Sequence, residues 1–176
     1  TIESTVHNVD GNGIIILNDS SNGQGVTTGR IGGTITNAGV NGIDLSVPFE
    51  NIAVTGAIQN AANHGINVMA GGQNLAINGS IQDVENHGIY LMGVQGVSID
   101  AVIDGQGNMA RGIRLANCTD VSISGTIKRT SQGTNANGIE GDNCQDVVIS
   151  GANISRVATP IVSYNSSNHW TVTGNH

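Results

Sequence analysis

Aromatic side chains are almost missing from this chain of 176 residues: one Trp, two Tyr and one Phe, 2% in all. A core built on ring packing is therefore excluded, and burial must come from Ile, Val, Leu and Ala within an apolar content of 38%. Charge is scarce as well, at 11% of residues, with six Lys and Arg against 13 Asp and Glu and a formal net charge of −7. Nucleic acid binding requires a dense basic surface, so it is excluded as a function. No apolar run approaches the roughly 20 residues of a membrane-spanning helix. Two cysteines give no disulfide framework. What the chain does have is glycine, 26 of them, set among abundant Asn. Together they interrupt every stretch before helical apolar spacing can develop.

The glycines are not scattered. A Gly-Ile step recurs at Gly13-Ile14, Gly42-Ile43, Gly65-Ile66, Gly88-Ile89, Gly112-Ile113 and Gly138-Ile139, with Pro160-Ile161 as a degenerate seventh copy. A second block follows each one, as in Ile52-Ala-Val-Thr-Gly-Ala-Ile58, Leu75-Ala-Ile-Asn-Gly-Ser-Ile81 and Val121-Ser-Ile-Ser-Gly-Thr-Ile127. The period is about 23 residues, the signature of a solenoid. Apolar and polar residues alternate strictly inside each block, which makes the blocks strands.

These features predict an all-β fold: a right-handed, single-stranded parallel β-helix of about seven coils, forming one domain over residues 1–176. Equivalent residues stack along the axis at about 4.8 Å per rung. The repeated Gly fits a corner where a Cβ would clash or φ is positive. Asn12, Asn41, Asn63, Asn86 and Asn137, beside these corners, fit left-handed geometry and side-chain ladders. Cys118 and Cys144 fall at matching positions and read as a stacked apolar pair rather than a bridge. Ile2–Val6 aligns with Ile77–Ile81, so the chain is expected to start in mid-coil, and it ends likewise. Uncapped ends leave strand edges to be met by further chain or by other chains. No signal peptide opens the sequence, as expected of a processed or internal segment.

The Asn-Gly-Ile corner and the Val-x-Ile-x-Gly strand resemble the pectin-lyase-like β-helix superfamily. That group includes pectate lyases, polygalacturonases, mannuronan C5-epimerases and many bacteriophage tailspikes. Val102-Ile-Asp-Gly-Gln-Gly107 is similar to a polygalacturonase coil, and His64-Gly-Ile66 and His87-Gly-Ile89 echo the His-Gly-Ile of that active site. The Asn-Thr-Asp, Asp-Asp and Arg-Ile-Lys elements of those hydrolases are absent, as is the Asp-Pro-His of the epimerases. The resemblance implies the fold and an extended polysaccharide as partner; it does not by itself license a reaction.

The repeat places one outward file at the residue after each Gly-Ile: Ile15, Asp44, Asn67, Tyr90, Arg114, Glu140 and Val162. A second file two residues on runs Leu17, Ser46, Met69, Met92, Ala116, Asp142 and Tyr164. A polar and aromatic strip on a flat sheet suits an extended saccharide, with sugar rings on Tyr90 and hydroxyls or carboxylates at Asp44, Asn67, Arg111, Arg114 and Glu140. Four of the six basic residues, Arg111, Arg114, Lys128 and Arg129, share one coil. Guanidinium groups grip carboxylates, so the saccharide is expected to be acidic. A lyase or epimerase would use Arg114 to neutralise a uronate and Tyr90 or His87 to abstract its C5 proton. The alternative is a surface salt bridge between Arg114 and Glu140. Glu140 and Asp142, about 6.6 Å apart by strand rise, could also form a hydrolytic carboxylate pair.

His64 and His87 stack near Glu85 and could hold zinc. Histidines replacing corner Asn explain them as well, so no metal and no cofactor is expected. The leading functional expectation is an extracellular or virion-surface β-helix that recognises cell-surface polysaccharide, as part of a homo-oligomer, either trimeric or stacked end to end. The alternatives are a ligand-free self-assembling stem and a uronate lyase or C5-epimerase.

Overall fold

The structure is a computed structural model, and residues 1–17, 25–128, 130 and 136–176 are described. Arg129 lies outside the described residues. Every regular element among them is a strand. In chain order these are β1 (Ile2–Val9), β2 (Ile14–Ile16), β3 (Gly29–Ala38), β4 (Ile43–Leu45), β5 (Phe49–Ala61), β6 (Ile66–Val68), β7 (Gly72–Val84) and β8 (His87–Met92). They continue with β9 (Val94–Asp104), β10 (Arg111–Ala116), β11 (Thr119–Lys128), β12 (Asn137–Asp142), β13 (Gln145–Ser150), β14 (Asn153–Ser155), β15 (Thr159–Tyr164) and β16 (Asn168–Thr173). No helix is long and apolar enough to cross a membrane.

The strands sort into two parallel sheets. The first runs β1-β3-β5-β7-β9-β11-β13-β16, with β14 also on β11. The second runs β15-β12-β10-β8-β6-β4-β2. Each repeat crosses both sheets once and returns one rung higher, giving a parallel β-solenoid of about 6 turns. The register follows the sequence period. Ile2 pairs with Ile31, Ile31 with Val54, and Val54 with Ile77, which is the alignment expected for the first strand.

Inside, the stacked positions form β-branched ladders. Ile35, Ile58, Ile81, Ile103 and Ile127 line one inner corner; Ile43, Ile66, Ile89, Ile113 and Ile139 face them from the second sheet, all buried. Each fully buried Ile or Leu contributes about 1.5–3 kcal/mol, and residues of this shape fill a narrow pleated interior without ring systems. Cys118 and Cys144 join this core as free, buried thiols. The Cys118 amide lies 3.5 Å from Cys144 Sγ. Hydrogen bonding to Cys144 and burial push the Cys118 thiol well above its ordinary pKa.

The repeated Gly is explained by close approach, not by φ. Gly13, Gly42, Gly65, Gly88, Gly112 and Gly138 are absent from the positive-φ residues. A Cβ on Gly65 would sit 2.5 Å from Ile81 Cγ2 and 2.6 Å from the carbonyl of Gly88. The hydrogen-bond ladder continues through this corner, with the Gly42 amide donating to the His64 carbonyl at 2.9 Å and Gly65 to His87 at 3.0 Å. A side chain would have to force neighbouring rungs away from each other.

The asparagines need a correction. Asn12, Asn41, Asn63, Asn86 and Asn137 do not take left-handed φ; Asn8, Asn37, Asn60, Asn51, Asn74, Asn117 and Asn143 do, at other corners. The Asn beside Gly-Ile is held instead by its ladder, Asn86 Nδ2 donating to Asn63 Oδ1 and Asn63 Nδ2 to Asn41 Oδ1, both at 3.1 Å.

Candidate functional site on the outer face of the second sheet

The short strands of the second sheet bring the expected file into register. Asp44 pairs with Asn67, Asn67 with Tyr90, Tyr90 with Arg114 and Arg114 with Glu140. Its exposure differs from the expectation. Asp44, Asn67 and Glu140 are buried at 8%, 6% and 3% exposure, while Tyr90 and Arg114 are half-buried. A neighbouring column at the corner, three residues earlier in each repeat, packs against the file: Asn12 and Asn41 bond Asp44, the His64 and His87 rings lie beside Tyr90, and Arg111 and Asn137 bond Glu140.

At the lower end Asp44 is saturated by donors. Asn12 and Asn41 reach its Oδ2 at 3.1 and 3.2 Å; Ser46 and Asn67 reach Oδ1 at 2.8 and 3.2 Å. The upper end has the same construction with cations added. Glu140 accepts from Arg111 Nε at 2.5 Å, Arg114 Nη1 at 2.6 Å and Asn137 Nδ2 at 2.7 Å. The Glu140 side chain is only 4% exposed, against 18% and 27% for the two arginines. The Arg114–Glu140 pair is therefore not the weak surface bridge that the sequence left open. A carboxylate this far out of water depends on its partners. Asp142 lies on the adjacent file and accepts from Asn165 Nδ2, so Glu140 and Asp142 are each engaged with different partners.

Between the two carboxylates sits a cluster of rings. His64 and His87 meet edge to face with centroids 4.8 Å apart, and Tyr90 lies 5.6 and 5.5 Å from them. The Arg114 guanidinium stands 5.9 Å above the Tyr90 ring, within cation–π range. Burial drives the His64 pKa down to about 4 against the opposing charge of Asp44. Burial, then His64, Arg111 and Arg114, drives His87 down to about 3. Both imidazoles are thus neutral near pH 7. Three buried side-chain atoms here have no hydrogen-bond partner: His64 Nδ1, His87 Nδ1 and Asn67 Oδ1. Each such atom costs about 1–3 kcal/mol.

The depressed histidines carry a pH consequence. The unfolded chain binds their protons from about pH 6.5 downward, while the folded chain refuses them until about 4 and 3. Folding stability is therefore complete above pH 6.5 and falls as pH drops from there toward 4. Urea unfolding at pH 7 and pH 5 is expected to show the loss, and His87→Asn to reduce it. A pH-independent midpoint in the wild type would contradict this.

The sequence missed Asn12, Asn41, Ser46 and Asn137 as partners of the two carboxylates. A signal was present in Asn41-Gly-Ile-Asp44 and Asn137-Gly-Ile-Glu140, where a corner Asn precedes an acid by three residues. Lys128 lies away from the site, in the first sheet, 3.5 Å from Asp104. A wide concavity of about 710 Å³ also lies elsewhere, lined by residues that include Pro48, Phe49, Glu50, Gly72 and Gln73. Its lining holds Thr27, Glu50, Gln73 and Gln95 but no basic side chain.

Comparison with known proteins gives no further assignment: no family model, no curated protein and no solved structure matches this chain.

Proposed function

We propose that the outer face of the second sheet recognises an extended polysaccharide, with the glycan running along the solenoid axis across Asn67, Tyr90 and Arg114. The observation that carries this reading is the placement of Tyr90. It is a half-buried ring at the middle of a flat file, with a carboxylate–amide cluster below and two guanidiniums above. A sugar ring stacks on such a surface, and successive rungs offer hydrogen-bonding groups at intervals of about 4.8 Å, close to the length of one pyranose. The remaining N–H groups of Arg111 and Arg114 suit an acidic saccharide.

Recognition is supported over elimination by the state of the arginines. A lyase or epimerase needs a cation unpaired with any protein carboxylate, whereas Arg111 Nε and Arg114 Nη1 are shared with Glu140, which leaves N–H groups for binding a saccharide but no unpaired cation. The broader proposal is a pectin-lyase-like β-helix acting at the cell surface or on a virion, in a homo-oligomer, of the kind that tailspikes form.

Titration with panels of acidic and neutral oligosaccharides tests the reading. Tyr90→Ala is expected to weaken binding at least tenfold, about 1.4 kcal/mol, and Arg114→Ala to weaken acidic ligands selectively. Equal, negligible binding by the wild type and both variants overturns it.

A further inference from the structure

The three buried atoms without partners belong to side chains of two consecutive rungs, His64 and Asn67 on one and His87 on the next. His64 and His87 occupy consecutive rungs of the corner column, with rings in edge contact at 4.8 Å. Asn67 sits three residues after His64, the spacing at which Asn41 touches Asp44 and Asn137 touches Glu140. The Asn67 amide has its direction fixed, because Nδ2 donates to Asp44 Oδ1 at 3.2 Å. Its oxygen is the buried atom left without a partner. An amide oxygen is a lone-pair donor, and so is an imidazole Nδ1 when the ring carries its proton on Nε2. Two such nitrogens and one such oxygen call for an electrophile.

We propose that His64, His87 and Asn67 form a site for a late first-row divalent cation, zinc being the representative probe. Imidazole nitrogen with oxygen is the donor set such ions take, and hard cations such as calcium prefer all-oxygen shells. The geometry is compatible. Two imidazoles sharing a tetrahedral zinc at about 2.0–2.1 Å have ring centres on the order of 5 Å apart, against 4.8 Å here. Asp44 supplies the outer support, holding the Asn67 amide and placing a negative charge beside His64. Such outer partners fix the metal's direct ligands in place. The two arginines near His87 oppose a cation, but both are ion-paired to Glu140. The charges of Asp44, Glu140, Arg111 and Arg114 sum to zero. Moderate rather than very tight affinity is expected.

The site borders the proposed saccharide surface, since Tyr90 lies 5.6 and 5.5 Å from the two rings. It does not depend on that surface, and it is tested with metal alone.

Calorimetric titration with Zn²⁺ in the absence of saccharide is the experiment. The wild type is expected to bind one ion per chain, and His64→Asn and His87→Asn each to lose at least tenfold in affinity. Asn already occupies this column at Asn41 and Asn137, so both variants keep the corner. Substituting the exposed His7 and His169 together is expected to change nothing. Long-range imidazole NMR on the wild type gives a second readout, in which Zn²⁺ shifts the Nδ1 resonances of His64 and His87. Absence of binding, affinity unchanged in both single variants, or Nδ1 resonances that do not move would each overturn the site. None of these results bears on saccharide binding by Tyr90.

Discussion

Gly88→Ala is expected to destabilise the solenoid by about 3 kcal/mol or more, at the upper end of what overpacking costs. A Cβ at this position meets Ile103 Cγ2 at 2.5 Å, the Gly112 carbonyl oxygen at 2.6 Å and Met109 Sδ at 3.2 Å. The methionine can move aside. The carbonyl cannot, because it belongs to the rung above and moving it breaks the ladder between β8 and β10. In a solenoid each turn is supported by its neighbours, so the strain spreads to both adjoining turns. Gly11→Ala provides the comparison: an added Cβ there meets nothing within 4 Å, and the change should stay within about 0.5 kcal/mol. Urea unfolding of the two variants decides the matter. Similar midpoints would mean that the repeated Gly serves some purpose other than close approach.

Glu140→Gln should cost about 3 kcal/mol, the lower end of the range for breaking a buried pair. The substitution keeps the shape and removes the one negative charge with which Arg111 and Arg114 are both paired. The arginines are 18% and 27% exposed, so water recovers some of the loss, which is why the lower end of the range applies. The cost comes from uncompensated cations, so replacing Arg111, Arg114 and Glu140 together by Met should restore most of the stability. Chemical denaturation of the single and triple variants reads both effects. A triple variant as unstable as Glu140→Gln would show that the three side chains contribute through packing and not through charge. Because Glu140 is shielded, added salt should alter the single-variant cost little.

The contrast between these two predictions mirrors what was readable in the chain. Gly88 announces itself by period alone, since six copies of Gly-Ile mark the same place in successive turns. The register of Asp44, Asn67, Tyr90, Arg114 and Glu140 was equally legible, because a stack with a fixed repeat leaves no choice of partners. Burial of Asp44, Asn67 and Glu140 was not legible. It depends on the angle at which the chain turns the Gly corner, and that angle brings Asn41, His87 or Arg111 against the file. The same holds for the asparagines. Periodicity shows that they stack, but only backbone geometry distinguishes Asn37 and Asn60, with φ of 55° and 62°, from Asn41 and Asn63 at ordinary φ.

The amino-acid order by itself determined a parallel β-solenoid, its rung length, and which residues lie above one another, because apolar alternation and periodicity act locally and repeat. Only the tertiary structure decided how the corner column meets the file beside it. That contact brings Arg111 and Asn137 to Glu140 and Asn12 and Asn41 to Asp44, and leaves Nδ1 of His64 and of His87 and the oxygen of Asn67 unpaired. The physical reason is that stacking is a one-dimensional property of the repeat, whereas contact between columns depends on the bend that separates them.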